Sequence, residues 1–180
     1  MKKAALAIRL FVSSICLLTL NAASAQEEIE MQGPTSLSET YDAWTVQCVN
    51  QQQGEVTRRV CQMSQTLLQK ESQQRVLTFA LRRSEDRAVA TLVLPFGLLL
   101  SEGFRIQMAD EEILRGAFRT CLPAGCIAEV EIPADTISKL EAAETANVLM
   151  TATSGQQVKA DISLMGFRAA YQRLVALAAR

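Results

Sequence analysis

Cys121 and Cys126 bracket Leu122-Pro123-Ala124-Gly125, a spacing that a disulfide, a redox site or a metal site could use. Pro123 fixes φ and removes a donor, and Gly125 tolerates positive φ, so the stretch makes a tight turn. Cys48 and Cys61 form a second set, placed symmetrically about a Gln-rich segment containing Gly54, as facing residues of a hairpin would be. Four cysteines allow three pairings. The two turns favour Cys48–Cys61 and Cys121–Cys126. The former closes a loop of about a dozen residues, worth ~3 kcal/mol in the chain-entropy model. A four-thiolate zinc site is the rival, and it needs thiolates kept reduced. A thioredoxin-like Cys-x-x-Cys is absent.

Other reactive groups are sparse. The chain has no histidine, which removes the commonest general base, the histidine-dependent triads and histidine metal sites. Its eight glycines are scattered singly, with no phosphate-binding loop among them. Carboxylates pair in sequence at Glu111–Glu112 and Glu129/Glu131. A glycosidase needs two carboxylates flanking one bond, which adjacency does not establish. The first pair reads as a solvated turn and the second as the wet face of a strand. No catalytic, cofactor or metal residue is therefore assigned. Arginine is the imbalance: beyond residue 25 there are 12 Arg and 3 Lys. Arg58-Arg59, Arg82-Arg83 with Arg87, and Arg115 with Arg119 lie near strand ends or turns. Guanidinium forks suit carboxylate, phosphate and sulfate groups. Arg82, Arg83 and Arg87 at one hairpin tip are the first candidate surface for an anionic glycan, lipid or protein partner. Arg115 and Arg119, expected on one strand face, are the second. The plainer reading of both is strand-edge protection.

Compartment is legible at the start of the chain. Lys2, Lys3 and Arg9 precede an apolar run, Leu10 to Leu20, and Ala23-Ser24-Ala25 supplies small residues for cleavage. Residues 1–25 read as a secretory signal peptide that carries Cys16 away with it. The run is too short to span a membrane comfortably, since spanning takes ~20 residues, so no membrane span is expected after cleavage. Without Lys2, Lys3 and Arg9, 15 basic residues face 19 acidic ones, a net charge of −4, which argues against nucleic acid as a partner. An even cysteine count in an exported chain fits two disulfides. A periplasmic or cell-envelope location, or secretion, follows.

The elements that must position these residues are mostly strands. Residues 26–40 are polar and without period, and read as a flexible leader. Residues 41–180 are long enough for a single domain. Tyr41–Val49 alternates, with Trp44, Val46 and Cys48 on one face. Asn50–Arg59 reads as a loop, and Val60–Leu68, Arg75–Arg82, Ala88–Leu94 and Gly103–Met108 as strands. A turn at Ser84-Glu85-Asp86 separates the second and third of these. Ile113–Cys121 and Cys126–Ile132 flank the Pro123 turn. A short helix is predicted near 135–143 with Asp135 as N-cap. Ala146–Thr153 and Gln157–Leu164 form a hairpin, and Phe167–Ala179 has the apolar period of a helix packed on a sheet. Many short strands with few helices predict an all-β fold, an antiparallel β-sandwich or partly open barrel.

Phe118-Arg119-Thr120-Cys121-Leu122-Pro123-Ala124-Gly125-Cys126-Ile127-Ala128 resembles the hallmark of the invasion-associated locus B family of Gram-negative exported proteins. Three further blocks are similar to that family in the same order: Trp44-Thr45-Val46-Gln47-Cys48 with Val60-Cys61-Gln62-Met63-Ser64-Gln65, then Leu94-Pro95-Phe96-Gly97-Leu98 with Gly103, then Ser163-Leu164-Met165-Gly166-Phe167 with Ala170. The resemblance implies a periplasmic or surface-associated β-domain, linked in pathogenic members to host-cell entry, notably of red cells. It implies no enzyme. The expectation is a non-enzymatic binding or structural protein of the envelope with an envelope or host-surface partner. A carboxylate-dependent hydrolase of periplasmic glycan is the alternative.

Overall fold

A computed structural model of the protein describes residues 36–84 and 87–178. The expected signal peptide, residues 26–35 of the leader, and Glu85-Asp86 of the expected turn lie outside the described residues. Eleven strands and two helices follow in the order β1 Ser36–Tyr41, β2 Trp44–Gln53, β3 Val56–Leu68, β4 Arg75–Ser84, β5 Arg87–Leu94, β6 Phe104–Met108, β7 Glu111–Gly116, β8 Phe118–Leu122, β9 Gly125–Ile132, α1 Ala134–Ala142, β10 Thr145–Thr151, β11 Gln157–Ser163 and α2 Phe167–Ala178. The strands build two antiparallel sheets, one ordered β1-β2-β3-β4-β5-β9-β8 and one ordered β11-β10-β6-β7. Their facing sides and the two helices enclose one apolar core, which makes the fold a β-sandwich.

Alternation drives the packing. Trp44, Val46 and Cys48 of β2, Leu77, Phe79 and Leu81 of β4, and Ala88, Ala90, Leu92 and Leu94 of β5 all turn inward and are buried. In α2, Phe167, Ala170, Leu174 and Leu177 recur at helical spacing and are buried. This helix lies against β1 to β4. Trp44 sits between Phe79 and Phe167, with ring centroids 5.8 and 5.1 Å away and edge-to-face geometry. A buried amide ties the two sheets together. Gln65 Nε2 donates to the Ser163 carbonyl at 2.8 Å, and the Ser163 N–H donates to Gln65 Oε1 at 3.0 Å. The indole N–H of Trp44 donates to the same carbonyl at 2.9 Å. The side chain of Gln65 thus stands in for a peptide group across the gap.

Four expectations need correction. The leader does not extend to residue 40: Ser36–Tyr41 is an edge strand paired with β2, from Ser36↔Val49 to Tyr41↔Trp44. It has little apolar content because its inward Glu39 is held by Arg173 of α2, at 2.7 and 2.8 Å, rather than by packing. Asn50–Arg59 is not a loop. Strands β2 and β3 run to a two-residue turn at Gly54-Glu55, keeping register to Gln53↔Val56. This arm is polar on both faces, so no apolar period marks it. Ile113–Cys121 is not one strand: β7 belongs to the four-stranded sheet and β8 to the seven-stranded one. Gly116 lies at the crossing, where an added Cβ would stand 2.5 Å from the Phe104 ring. Finally, Pro133, not Asp135, is the N-cap of α1, and it makes no side-chain cap bond. Proline's fixed φ suits the extended cap position, and its ring supplies no acceptor for the first-turn N–H groups.

Candidate functional site

The Pro123 turn is a staple. Cys121 faces Cys126 across the β8–β9 hairpin, and the two form a disulfide. Cys48 faces Cys61 across β2–β3 and forms the other. Both pairs join residues directly opposed in an antiparallel ladder, so none of the four sulfurs is a thiolate. Among the described residues, no three His, Cys, Asp or Glu side chains converge as a metal site would require.

The arginines singled out by sequence are placed quite differently from one another. Arg82 Nη2 donates to Glu129 Oε1 at 2.8 Å, and Arg119 Nη1 donates to Glu129 Oε2 at 2.7 Å. Glu129 therefore has both oxygens occupied. The hydrogen bond from Arg82, opposed by desolvation and aided by Arg119, holds its carboxyl below the usual carboxylate range. Arg87 reaches Glu131 at 3.2 Å. Arg115 Nε donates to Glu112 Oε1 at 2.6 Å, and that bond holds the Glu112 carboxyl low as well. Arg83 points to the other side of the sheet, where Nη1 donates to the Tyr171 hydroxyl at 3.3 Å. Arg82, Arg83 and Arg87 accordingly lie at one end of the β4–β5 hairpin, where Ser84 faces Arg87 and Arg83 faces Ala88, but Arg83 is on the face opposite to Arg82. Arg115 and Arg119 do not share a strand face either, since they lie in β7 and β8 of different sheets. Arg115 instead faces Arg105 across the β6–β7 ladder, beside a hollow of about 390 Å³. Glu112 lies close enough to both guanidiniums to feel them.

The carboxylate pairs are absorbed in the same way. Glu111 takes Lys139 at 3.3 Å, Glu112 takes Arg115, Glu129 takes two arginines and Glu131 takes Arg87. A general acid and base flanking one bond need carboxyl groups open to a substrate. These four are engaged with cations.

What the structure does assemble is a fork. β3 pairs with β2 over its first residues but meets β4 only from Gln62↔Arg82 onward. The β2–β3 arm thus diverges from the end of β4. The gap between them, about 510 Å³, is lined by Arg58 and Arg59 on one prong and by Arg82 and Arg83 on the other, with Cys61 at its root and Ala178 of α2 beside it. No carboxylate is among the described residues lining it. Neither Arg58 nor Arg59 makes an ion pair with a described residue. A second hollow of about 300 Å³ continues along Gln51–Gln53 and shares Arg58. Sequence reasoning noted Arg58-Arg59 but left them in a loop. The symmetric spacing of Cys48 and Cys61 about Gly54 signalled a hairpin, but not that its turn would shrink to Gly54-Glu55 with strand on both sides. Arg105 carried no signal beyond its type.

Comparisons with known proteins converge. Residues 44–175 match the family described as Invasion associated locus B (IalB) protein. An invasion protein B homologue of Brucella abortus (strain 2308) is 40% identical over 147 residues, covering 81% of this chain and 83% of that protein. Invasion protein B of Bartonella bacilliformis is 27% identical over 149 residues, covering 81% and 78%. Among solved structures, the crystal structure of invasion associated protein b from Bartonella henselae superposes with a TM-score of 0.70 at 28% identity, covering 78% of this chain and 96% of that one.

Proposed function

This chain belongs to the invasion associated locus B family, and from that premise we propose that it is an exported cell-envelope protein, periplasmic or surface-associated, that binds an anionic partner and catalyses no reaction. Its relatives carry the names of invasion proteins, not of enzymes. Two disulfides fit an exported protein. No helix among the described residues is long and apolar enough to cross a membrane. The observation that carries the reading is the fork, where four arginines converge on one gap. The partner is a component of the envelope or, where a bearer of this protein enters host cells, of the host surface.

A hydrolase acting through carboxylates finds no support, because the two candidate pairs are already committed to arginine and lysine. The test of the binding reading is capture from envelope extract by the native protein and by Arg58→Glu/Arg59→Glu. A partner held at low salt, released at moderate salt and lost from the variant supports it, since rim charges are screened over ~8 Å at physiological ionic strength. Equal capture by both proteins removes the fork from the account, and no capture by either at any salt leaves a self-contained structural protein.

A further inference from the structure

The outer face of the four-stranded sheet carries its own row of cations. Register places Lys159, Leu149, Arg105 and Arg115 side by side across β11, β10, β6 and β7. The alternation that buries Ala160, Val148, Phe104 and Ile106 turns these four outward. Leu149 is buried all the same, between neighbours whose aliphatic stems cover apolar surface while their charges stay in water. The next row along the same face is Asp161, Asn147, Gln107 and Glu112. It neutralises both ends of the cation row. Lys159 Nζ lies 3.3 Å from Asp161 Oδ1, and Arg115 Nε is bonded to Glu112. Arg105, between them, has Gln107 in place of a carboxylate. It is half-buried and makes no ion pair with a described residue. Removing a charge from water without a partner costs free energy.

Beside Arg105 two adjoining hollows, of about 390 and 340 Å³, share Glu102, Gly103, Arg105 and Arg115. Gly103 and Gly116 give this space a floor of bare backbone. A Cβ on Gly103 would collide with the Gly116 carbonyl, and one on Gly116 with the Phe104 ring. Glu102 is exposed at the wall and, like Arg105, makes no ion pair with a described residue. One cavity is thus lined by a cation and a carboxylate that do not reach each other. We propose that it binds a small zwitterion, whose oxyanion is held by Arg105 beside Arg115 and whose primary ammonium is held by Glu102. A simple anion would meet repulsion from Glu102, and a simple cation would meet it from the two guanidiniums. A molecule with an oxyanion and an ammonium two carbons apart satisfies both walls at once, through charge-assisted hydrogen bonds. This site is on the other sheet from the fork and takes a different class of ligand, so it goes beyond the binding reading given above.

The test is a titration of the oxidised, 15N-labelled protein at low salt, with the amide signals of Gly103 and Gly116 as reporters. β-Alanine and O-phosphoethanolamine are the zwitterions, acetate and inorganic phosphate the matched anions, and ethylamine the matched cation. Both glycine signals should shift with the zwitterions, and the tighter of the two identifies the oxyanion as carboxylate or phosphate. Arg105→Gln should weaken both zwitterions about tenfold, as expected for one lost hydrogen bond between charged groups. Glu102→Gln should divide the probes, weakening the zwitterions while leaving the anions unchanged or tighter, a split that a purely structural role would not produce. Dispersion of the remaining amide signals verifies that each variant is folded. No shift of either glycine with any zwitterion, an anion that binds as tightly as its matched zwitterion, or zwitterion binding indifferent to Glu102→Gln would overturn the proposal. None of these outcomes bears on the fork, which envelope capture tests separately.

Discussion

Glu129 is the residue on which the outer face of the large sheet is balanced. Arg82 and Arg119 reach it from β4 and β8, so removing its charge leaves two guanidiniums facing each other. Arg82 is 42% exposed and Arg119 72%. Solvent screening therefore limits the cluster to about 0.2–1 kcal/mol. Its pH dependence has a definite sign. A carboxylate whose folded pKa lies below its unfolded value of about 4.3 contributes stability above that value and loses it as pH falls through the lower, folded pKa. Glu129 is depressed mainly by Arg82, Glu39 by Arg173 and Glu112 by Arg115, so all three act in the same direction. The urea midpoint should be level near neutrality and drop below about pH 4. Glu129→Gln should have a slightly lower midpoint at pH 7 and a shallower acid decline. An acid decline as steep as the native one would show that Glu129 takes no part in it.

At the scale of elements, strands with one apolar face were legible, and strands lacking one were not. Leu77, Phe79 and Leu81 announce β4, and Phe167, Ala170 and Leu174 announce α2, because burial imposes period 2 or 3.6 on sequence. β1 and the β2–β3 arm left little such trace: β1 is held by its ladder to β2 and by the Glu39–Arg173 pair, and the arm by backbone pairing and polar side-chain bonds such as Thr57 Oγ1 to Gln52 Oε1. The fork was hidden for this reason, since it is made where two polar strand ends separate. The switch of sheets between β7 and β8 is a tertiary event with only Gly116 to mark it. Seating of α2 is a further tertiary event. Gly166 precedes the helix with φ of 80°, and a Cβ there would collide with the Tyr41 carbonyl. Gly166→Ala should therefore destabilise the protein by about 1–3 kcal/mol, through backbone strain and overpacking together. It should also alter Trp44 emission, because Phe167 of the displaced helix packs on that ring. An unchanged urea midpoint would mean that the helix start yields without cost.

For the whole molecule, the family was legible because its blocks surround the features that hold the sandwich together: both cysteine pairs, Gln65 and the Gly166-Phe167 entry to α2. The partner surface was less so, since arginines far apart in sequence converge only after folding. The Cys48–Cys61 bond links that surface to global stability. Replacing both cysteines by alanine should cost ~3 kcal/mol in the chain-entropy model. The same change should weaken anion binding more than its effect on the urea midpoint would suggest, because Cys61 lies at the root of the fork. Binding that simply tracked the folded fraction would separate the staple from the site.

Each disulfide joins a cysteine to the next one along the chain, at separations of 13 and 5 residues. On the proposed export route the amino-terminal part emerges first, so Cys61 meets Cys48 before either later cysteine is within reach, and Cys121 then finds only Cys126 unpaired. The crossed pairings would close longer loops, and each doubling of loop length adds about 0.6 kcal/mol of closure entropy. Order of appearance and ease of closure thus select the same bonds. On that route an oxidant alone would suffice to form both bonds, without a disulfide isomerase.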